Sequence, residues 1–250
     1  MKAKVVINAD DFGKDENATM AIAESFRRGF ITQTTLMVNM PWAEKAVELA
    51  RKEGFADKVG LHLNLTEGRP LTEGIAKCDV FCAGNGEFRG RHSTSDELSR
   101  RDVRQAFKGE VQAQVFKYVS YGLPLMHCDG HHHVQSKIHV AKILMPILRD
   151  NCFKSIRRPY NVWVNPLSPH IRSRIQQLLF RMLAVRNRLS TSDYFTGWGE
   201  IALCERLFKR NCRLELMVHP RYDAQGNLID VTDFANCKGR LMKEISGYDC

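Results

Sequence analysis

What this chain lacks narrows its class before any motif is considered. No stretch approaches 18 consecutive apolar residues, so no membrane span is expected and no membrane partner. The first residues pass directly into strand-like sequence, without the charged, apolar and small-residue regions of a secretory leader; the expected compartment is the cytoplasm. No C-x-x-C pair occurs. The eight cysteines are scattered and read as reduced thiols rather than as a disulfide framework, and the four-residue spacing of Cys78 and Cys82 is a weak zinc signal. Acid is missing altogether from Asn151 to Ser192, where Lys154, Arg157, Arg158, Arg172, Arg174, Arg181, Arg186 and Arg188 supply eight of the nine net positive charges. That run lacks interleaved aromatic platforms and any nucleic-acid-binding motif, so it reads as a solvated helix face and nucleic acid is not the expected partner. Internal repeats, low-complexity tracts and linkers are absent too, and residues 1–250 are expected to form one domain.

What is present is an alternation of strand-like and helix-like segments. Strands are expected at Lys4–Asn8, Thr34–Asn39, Val59–Leu65, Leu125–Asp129, Ser155–Arg157, Tyr194–Phe195 and Arg213–Val218. Helices are expected at Asn17–Arg28, from Pro41 to Arg51, from Ser95 to Ser120, and at Val140–Arg149, Pro169–Arg188, Glu200–Lys209 and Asp233–Ile245. A glycine- and proline-bearing stretch, residues 66–94, looks like an insertion or lid. About seven βα units favour a parallel α/β barrel of the TIM type, seven-stranded or incompletely closed, over an open sheet.

In such a barrel the chemistry gathers at the carboxyl ends of the strands. The first strand ends in Asp10-Asp11, a like-charged pair that needs a cation nearby. The third carries His62 and Asn64 on one face. The fourth runs into Asp129-Gly130-His131-His132-His133, and the last reaches His219-Pro220. Each has a bland explanation on its own. Together they bring carboxylates and imidazoles to one rim, a donor set suited to a divalent ion with open positions for water and substrate. Arg157 and Arg158 also end a strand, where one of them could orient Asp10 or touch substrate.

These motifs resemble the YdjC-like carbohydrate deacetylase family. The likeness lies in Asn8-Ala9-Asp10-Asp11-Phe12-Gly13, Thr34-Thr35 through Asn39, Gly60-Leu61-His62, Thr66-Glu67-Gly68-Arg69-Pro70-Leu71, Asp129-Gly130-His131-His132-His133, Arg157-Arg158-Pro159 and Glu215-Leu216-Met217-Val218-His219-Pro220. The resemblance implies Asp11, His62 and His131 as metal ligands, Asp10 as general base and His219 as general acid, with Arg158 and Asn64 in contact with substrate. It further implies hydrolysis of an N-acetyl group from a short amino-sugar oligosaccharide, with one magnesium ion; the two imidazoles would suit zinc equally well. A homodimer is compatible with this reading. Two departures stand out: Gln135 occupies a position where the family often has histidine, and only 31 residues follow His219, which puts barrel closure in question. A phosphoesterase with further metals, using His127, His132 and His133, is the competing enzyme class. A polyanion-binding protein built on the acid-free segment is a third.

Overall fold

The structure is a computed structural model and describes residues 3–90, 97–162, 171–198, 204 and 211–231. Strand and helix alternate as the sequence predicts: β1 (Lys4–Phe12), α1 (Glu16–Arg27), β2 (Gln33–Leu36), α2 (Ala43–Lys52), β3 (Val59–Leu63), α3 (Glu73–Ala76), α4 (Arg101–Ser120), β4 (His127–Gly130), α5 (Ile138–Asp150), β5 (Ser155–Ile156), α6 (Ile171–Arg186), β6 (Tyr194–Gly197) and β7 (Arg213–Val218). A short antiparallel hairpin, β8 (Pro220–Tyr222) and β9 (Leu228–Asp230), follows. The helices expected at 200–209 and 233–245 lie outside the described residues.

Seven strands form one parallel sheet in the order β5-β4-β3-β2-β1-β7-β6, curled into an incompletely closed TIM-like barrel. Among the described residues the edge strands β5 and β6 do not pair directly; a single parallel bridge joins Ser155 of β5 to Ser190, four residues before β6. A short β-branched run, Val5-Val6-Ile7, lies at the start of β1. Val5, Ile7 and Ala9 of β1 are buried among the apolar residues that pack the sheet, while Asn8 and Asp10 occupy the alternate positions. The same alternation puts Thr35, His62, Asp129, Phe195 and Glu215 on the inner face with them, as their mutual contacts show. The barrel interior is therefore polar, whereas the space between sheet and helices is apolar.

The helices bury their apolar stripes against the outside of the sheet. Asp15 caps α1 by accepting from the Ala18 amide at 2.9 Å. Along α4, Val103, Phe107, Val111, Val115 and Tyr118 face the core. On the same helix, buried Glu110 accepts from the Leu71 and Thr72 amides, and Gln114 bonds both the amide and the carbonyl of Asn64. These bonds fasten the loop after β3 to the barrel. The described part of the expected insertion is ordered locally by α3, by a Cys82–Phe88 bridge and by Phe81 packing on Phe107 at 5.4 Å. Basic α6 packs on α5, burying Phe180 and Ala184 and leaving Arg174, Arg181 and Arg186 exposed.

Candidate metal centre

β1 runs four residues further than the expected Lys4–Asn8 and includes Asp10 and Asp11. Asp11 takes a left-handed backbone, φ 71°, which aspartate tolerates better than most side chains. That turn sends the neighbouring carboxylates to different partners. Asp11 Oδ1 lies 2.9 Å from His131 Nδ1 and 3.4 Å from His62 Nε2. Asp10 turns into the barrel and is held by both terminal nitrogens of Arg157, at 2.7 and 2.8 Å.

The two imidazoles are each set by a carboxylate on the far side of the ring. His62 Nδ1 donates to Asp129 Oδ1 at 2.7 Å. His131 Nε2 donates to Glu67 Oε2 at 2.8 Å. With those hydrogens placed by the bonding network, His62 Nε2 and His131 Nδ1 both turn lone pairs toward Asp11. Asp11 Oδ1 and His62 Nε2 are buried and make no hydrogen bond. With both imidazoles neutral, three electron-rich atoms converge with no hydrogen between them, an arrangement that calls for a cation, and the ligand atoms of Asp11, His62 and His131 all lie within 4.8 Å of one another. One carboxylate and two imidazoles, each imidazole backed by a carboxylate, match what a divalent ion requires.

The electrostatics agree. Burial disfavours a charged His62, but the Asp129 charge, the 3.4 Å contact with Asp11 and the bond to Asp129 outweigh it, raising its pKa to about 10 in the ion-free protein. Asp11 is likewise held well below the usual carboxylate range; burial opposes this, and its contacts with His131 and His62 prevail. A proton is held where a metal ion would serve better.

Below the rim lies Arg157, fully buried. Besides Asp10, it reaches Asp129 at 2.8 Å and Glu215 at 2.5 Å, and its guanidinium sits 4.8 Å from the centre of the Phe195 ring. It thereby ties β5 to β1, β4, β6 and β7. Two other groupings could in principle hold a cation, Asp10/His62/Asp129 and His127/Asp129/Glu215. In each, both carboxylates already bond the guanidinium, so a second ion would face a buried positive charge. The arrangement suits one ion, at Asp11.

The remaining predicted residues fall as follows. His219, at the end of β7, has Nε2 4.0 Å from Asp10 Oδ2, and its amide donates to Asp230 of the hairpin. Asn64 is fully buried with its side chain committed to the protein: it donates to Asn39 and to the Glu67 carbonyl and accepts from the Thr66 and Glu67 amides. Arg158 points away from the rim and donates to the Ser192 and Asp193 carbonyls. Gln135 is buried beside Gly130, with both side-chain polar atoms unbonded. His132 bonds Thr66, and His133 packs edge-on against Tyr160 and Phe195. Burial, with the nearby Arg157 charge, pushes His133 down to about 4, so it is neutral at pH 7.

Sequence reasoning had singled out neither Asp129 and Glu67 as the carboxylates behind the imidazoles nor Glu215 as a partner of Arg157. Asp129 precedes the histidine run in its own strand, and Glu67 follows Asn64 by three residues; proximity to the expected ligands was the available signal.

Comparison with known proteins identifies the family. A family model described as YdjC-like protein matches residues 4–244. A protein named carbohydrate deacetylase from Clostridium beijerinckii is 34% identical over 222 residues, covering 88% of this chain and 82% of that one. Another of that name, from Brevibacillus brevis, is 39% identical over 145 residues, 58% of this chain and 54% of its own, so the match spans about half the length of that relative. A solved Enterococcus faecalis structure, provisionally described as a cellobiose-phosphate cleavage protein, superposes with a TM-score of 0.67 at 22% identity over 90% of this chain and 84% of that one, a likeness of fold. With strand-end motifs, barrel and family model in accord, the chain belongs to the YdjC-like family.

Proposed function

We propose that this chain is a metal-dependent carbohydrate deacetylase that hydrolyses the N-acetyl group of an N-acetylglucosamine-containing oligosaccharide of chitobiose type, releasing acetate. The observation that carries the reading is the convergence of Asp11, His62 and His131 beside a second, separately held carboxylate, Asp10. The names of the Clostridium and Brevibacillus relatives support it. A divalent ion at Asp11, His62 and His131 would polarise the acetamide carbonyl and lower the pKa of a bound water toward 7.

This chain's own residues supply the proton transfers. Asp10 is buried yet ionised, because Arg157 binds both its oxygens and outweighs the cost of burial. It is thus ready to accept the proton of the attacking water. His219, across from it at 4.0 Å, is placed to protonate the departing amine. Arg157 fixes the direction of the Asp10 carboxylate, and Asn8 adds a 2.8 Å bond to Oδ1. One ion suffices for this chemistry, which favours the deacetylase over a phosphoesterase needing two or three. Magnesium and zinc both remain compatible with the donor set.

The test is acetate release from di-N-acetylchitobiose by protein loaded with Mg2+, Zn2+ or Mn2+. Asp10→Asn and His219→Gln are each expected to lower kcat by about 10²–10⁴-fold. No acetate with any of these ions, or full activity in Asp10→Asn, refutes the reading.

A further inference from the structure

The two imidazoles at the centre are backed unequally. Asp129, behind His62, is fully buried and locked by Arg157, Thr35 and Asn8. Glu67, behind His131, has a side chain that is 39% exposed and sits on the loop after β3. That loop is built in detail. Asn64 Oδ1 accepts from the amides of Thr66 and Glu67, each at 3.1 Å, and its Nδ2 donates to the Glu67 carbonyl at 2.7 Å. Asn39 donates to the carbonyls of Glu67 and Arg69, Gly68 turns at φ 67°, and Phe88 donates to the Gly68 carbonyl at 2.9 Å. Lys14 donates to Glu67 Oε2 at 2.7 Å and reaches Asp11 Oδ2 at 3.5 Å. Several elements thus fix the backbone of one residue whose carboxylate meets one ring nitrogen.

We propose that Glu67 is a positioning residue for the ion site: by accepting from His131 Nε2 it fixes the ring as the Nε2–H tautomer and turns Nδ1 toward Asp11. The inference rests on the reading of Asp11, His62 and His131 as the ligand set. A neutral imidazole without that acceptor divides between two tautomers and two ring orientations, and only one of these presents a lone pair to the ion. The carboxylate behind a ligating histidine typically changes metal affinity 10–100-fold. Because His62 is locked deep in the barrel, His131 is the ligand whose set depends on a residue near solvent, and the loop from Asn64 to Arg69 becomes part of the ion site without touching the ion.

The test uses full-length protein stripped of metal, titrated with Zn2+ and with Mg2+ by calorimetry. Glu67→Leu removes the acceptor. Glu67→Gln keeps an oxygen for Nε2–H and, being isosteric on a partly exposed loop, serves as the version that preserves the fold. Long-range ¹⁵N–¹H spectra of the metal-free proteins report the His131 tautomer directly. Expected are the Nε2–H tautomer in the wild type and in Glu67→Gln, a shift toward the Nδ1–H tautomer in Glu67→Leu, where Asp11 Oδ1 at 2.9 Å is the acceptor left, and ion binding weakened at least tenfold in Glu67→Leu but less in Glu67→Gln. Binding by Glu67→Leu within twofold of wild type overturns the proposal. So does weakened binding with the His131 tautomer unchanged, since the effect would then be one of charge. If wild-type protein released no acetate from any sugar while these affinities followed the expected order, the deacetylase reading would fall and the role of Glu67 would stand.

Discussion

Replacing Arg157 by methionine removes the one guanidinium that compensates Asp10, Asp129 and Glu215 in the barrel interior. All three carboxylates are buried, with at most 4% exposure, so water cannot take over the role of the cation. Breaking a buried pair by deleting one partner costs about 3–5 kcal/mol, because the orphaned charge stays in a medium of low dielectric. Three carboxylates share this cation, so the upper part of that range applies. For a chain of this length 1 kcal/mol corresponds to about 2–4 °C, which for about 4–5 kcal/mol gives a fall in Tm of roughly 8–20 °C. The catalytic consequence is separate. Arg157 is what overcomes burial and holds the Asp10 carboxyl well below its ordinary range, so without it Asp10 takes up a proton at higher pH. The acid limb of the kcat/KM profile should move up by at least one pH unit. Arg157→Lys keeps a charge but not the two-pronged contact, and should recover part of the stability and little of the orientation. Thermal melts and pH–rate profiles of both variants test the argument. A loss of stability below 1 kcal/mol in Arg157→Met, with the acid limb unmoved, would refute it.

Ion binding should release protons: His62, raised to about 10 in the ion-free protein, is charged at pH 7 and must be neutral to bind metal. Calorimetry in two buffers of different ionisation enthalpy should count about one proton from this group, with affinity strengthening as pH rises toward 10. The linked effect on stability has the opposite sense. In ion-free protein the charged His62 contributes fully below its unfolded value of 6.5, and the contribution fades as pH rises from there toward 10. Gly13→Ala should destabilise by about 1–3 kcal/mol in urea unfolding, because Gly13 sits at φ 80° and an added Cβ would lie 2.8 Å from Leu36 Cδ1 and 3.1 Å from the Ala43 Cα.

The architecture was legible in the sequence because apolar segments such as Val5–Ile7 and Val59–Leu63 alternate with longer amphipathic ones such as Arg101–Ser120. About seven parallel strands arranged as a barrel, and the rim itself, follow from that pattern. Boundaries were less legible. Apolar patterning ends β1 at Asn8, yet the strand continues to Phe12, since parallel pairing with β2 and β7 and the partners of Asp10 hold it extended beyond its apolar residues. The hairpin β8–β9 went unread: its strands are three residues each, too short for any period to show, although Asp223 accepting from the Gln225 and Asn227 amides is ordinary turn chemistry. Arg157 and Arg158 are neighbours of the same type at the same strand end, and sequence could not separate them. Alternation in a strand does, because successive side chains face opposite sides: one enters the barrel and the other binds carbonyls outside it.

That division would let one small barrel hold an ion and a base within a few ångströms without the two merging. If both aspartates faced the same cation, each would be a ligand and neither could take a proton. A guanidinium among three carboxylates gives Asp10 a permanent positive partner of its own, and the left-handed turn at Asp11 aims the next carboxylate at the imidazoles instead. On the proposed reading an ion would have Asp11 as its carboxylate, while Asp10 would stay charged, oriented and free to exchange a proton. Asp129 links the halves: Oδ1 orients His62, and Oδ2 accepts from Thr35 and Asn8 and pairs with Arg157. An Asp129→Asn substitution would thus disturb ligand and base together, whereas Glu67 touches the ligand side alone. Comparing the two variants should separate losses of ion affinity from losses of kcat at saturating metal: both in Asp129→Asn, the first only in Glu67→Leu.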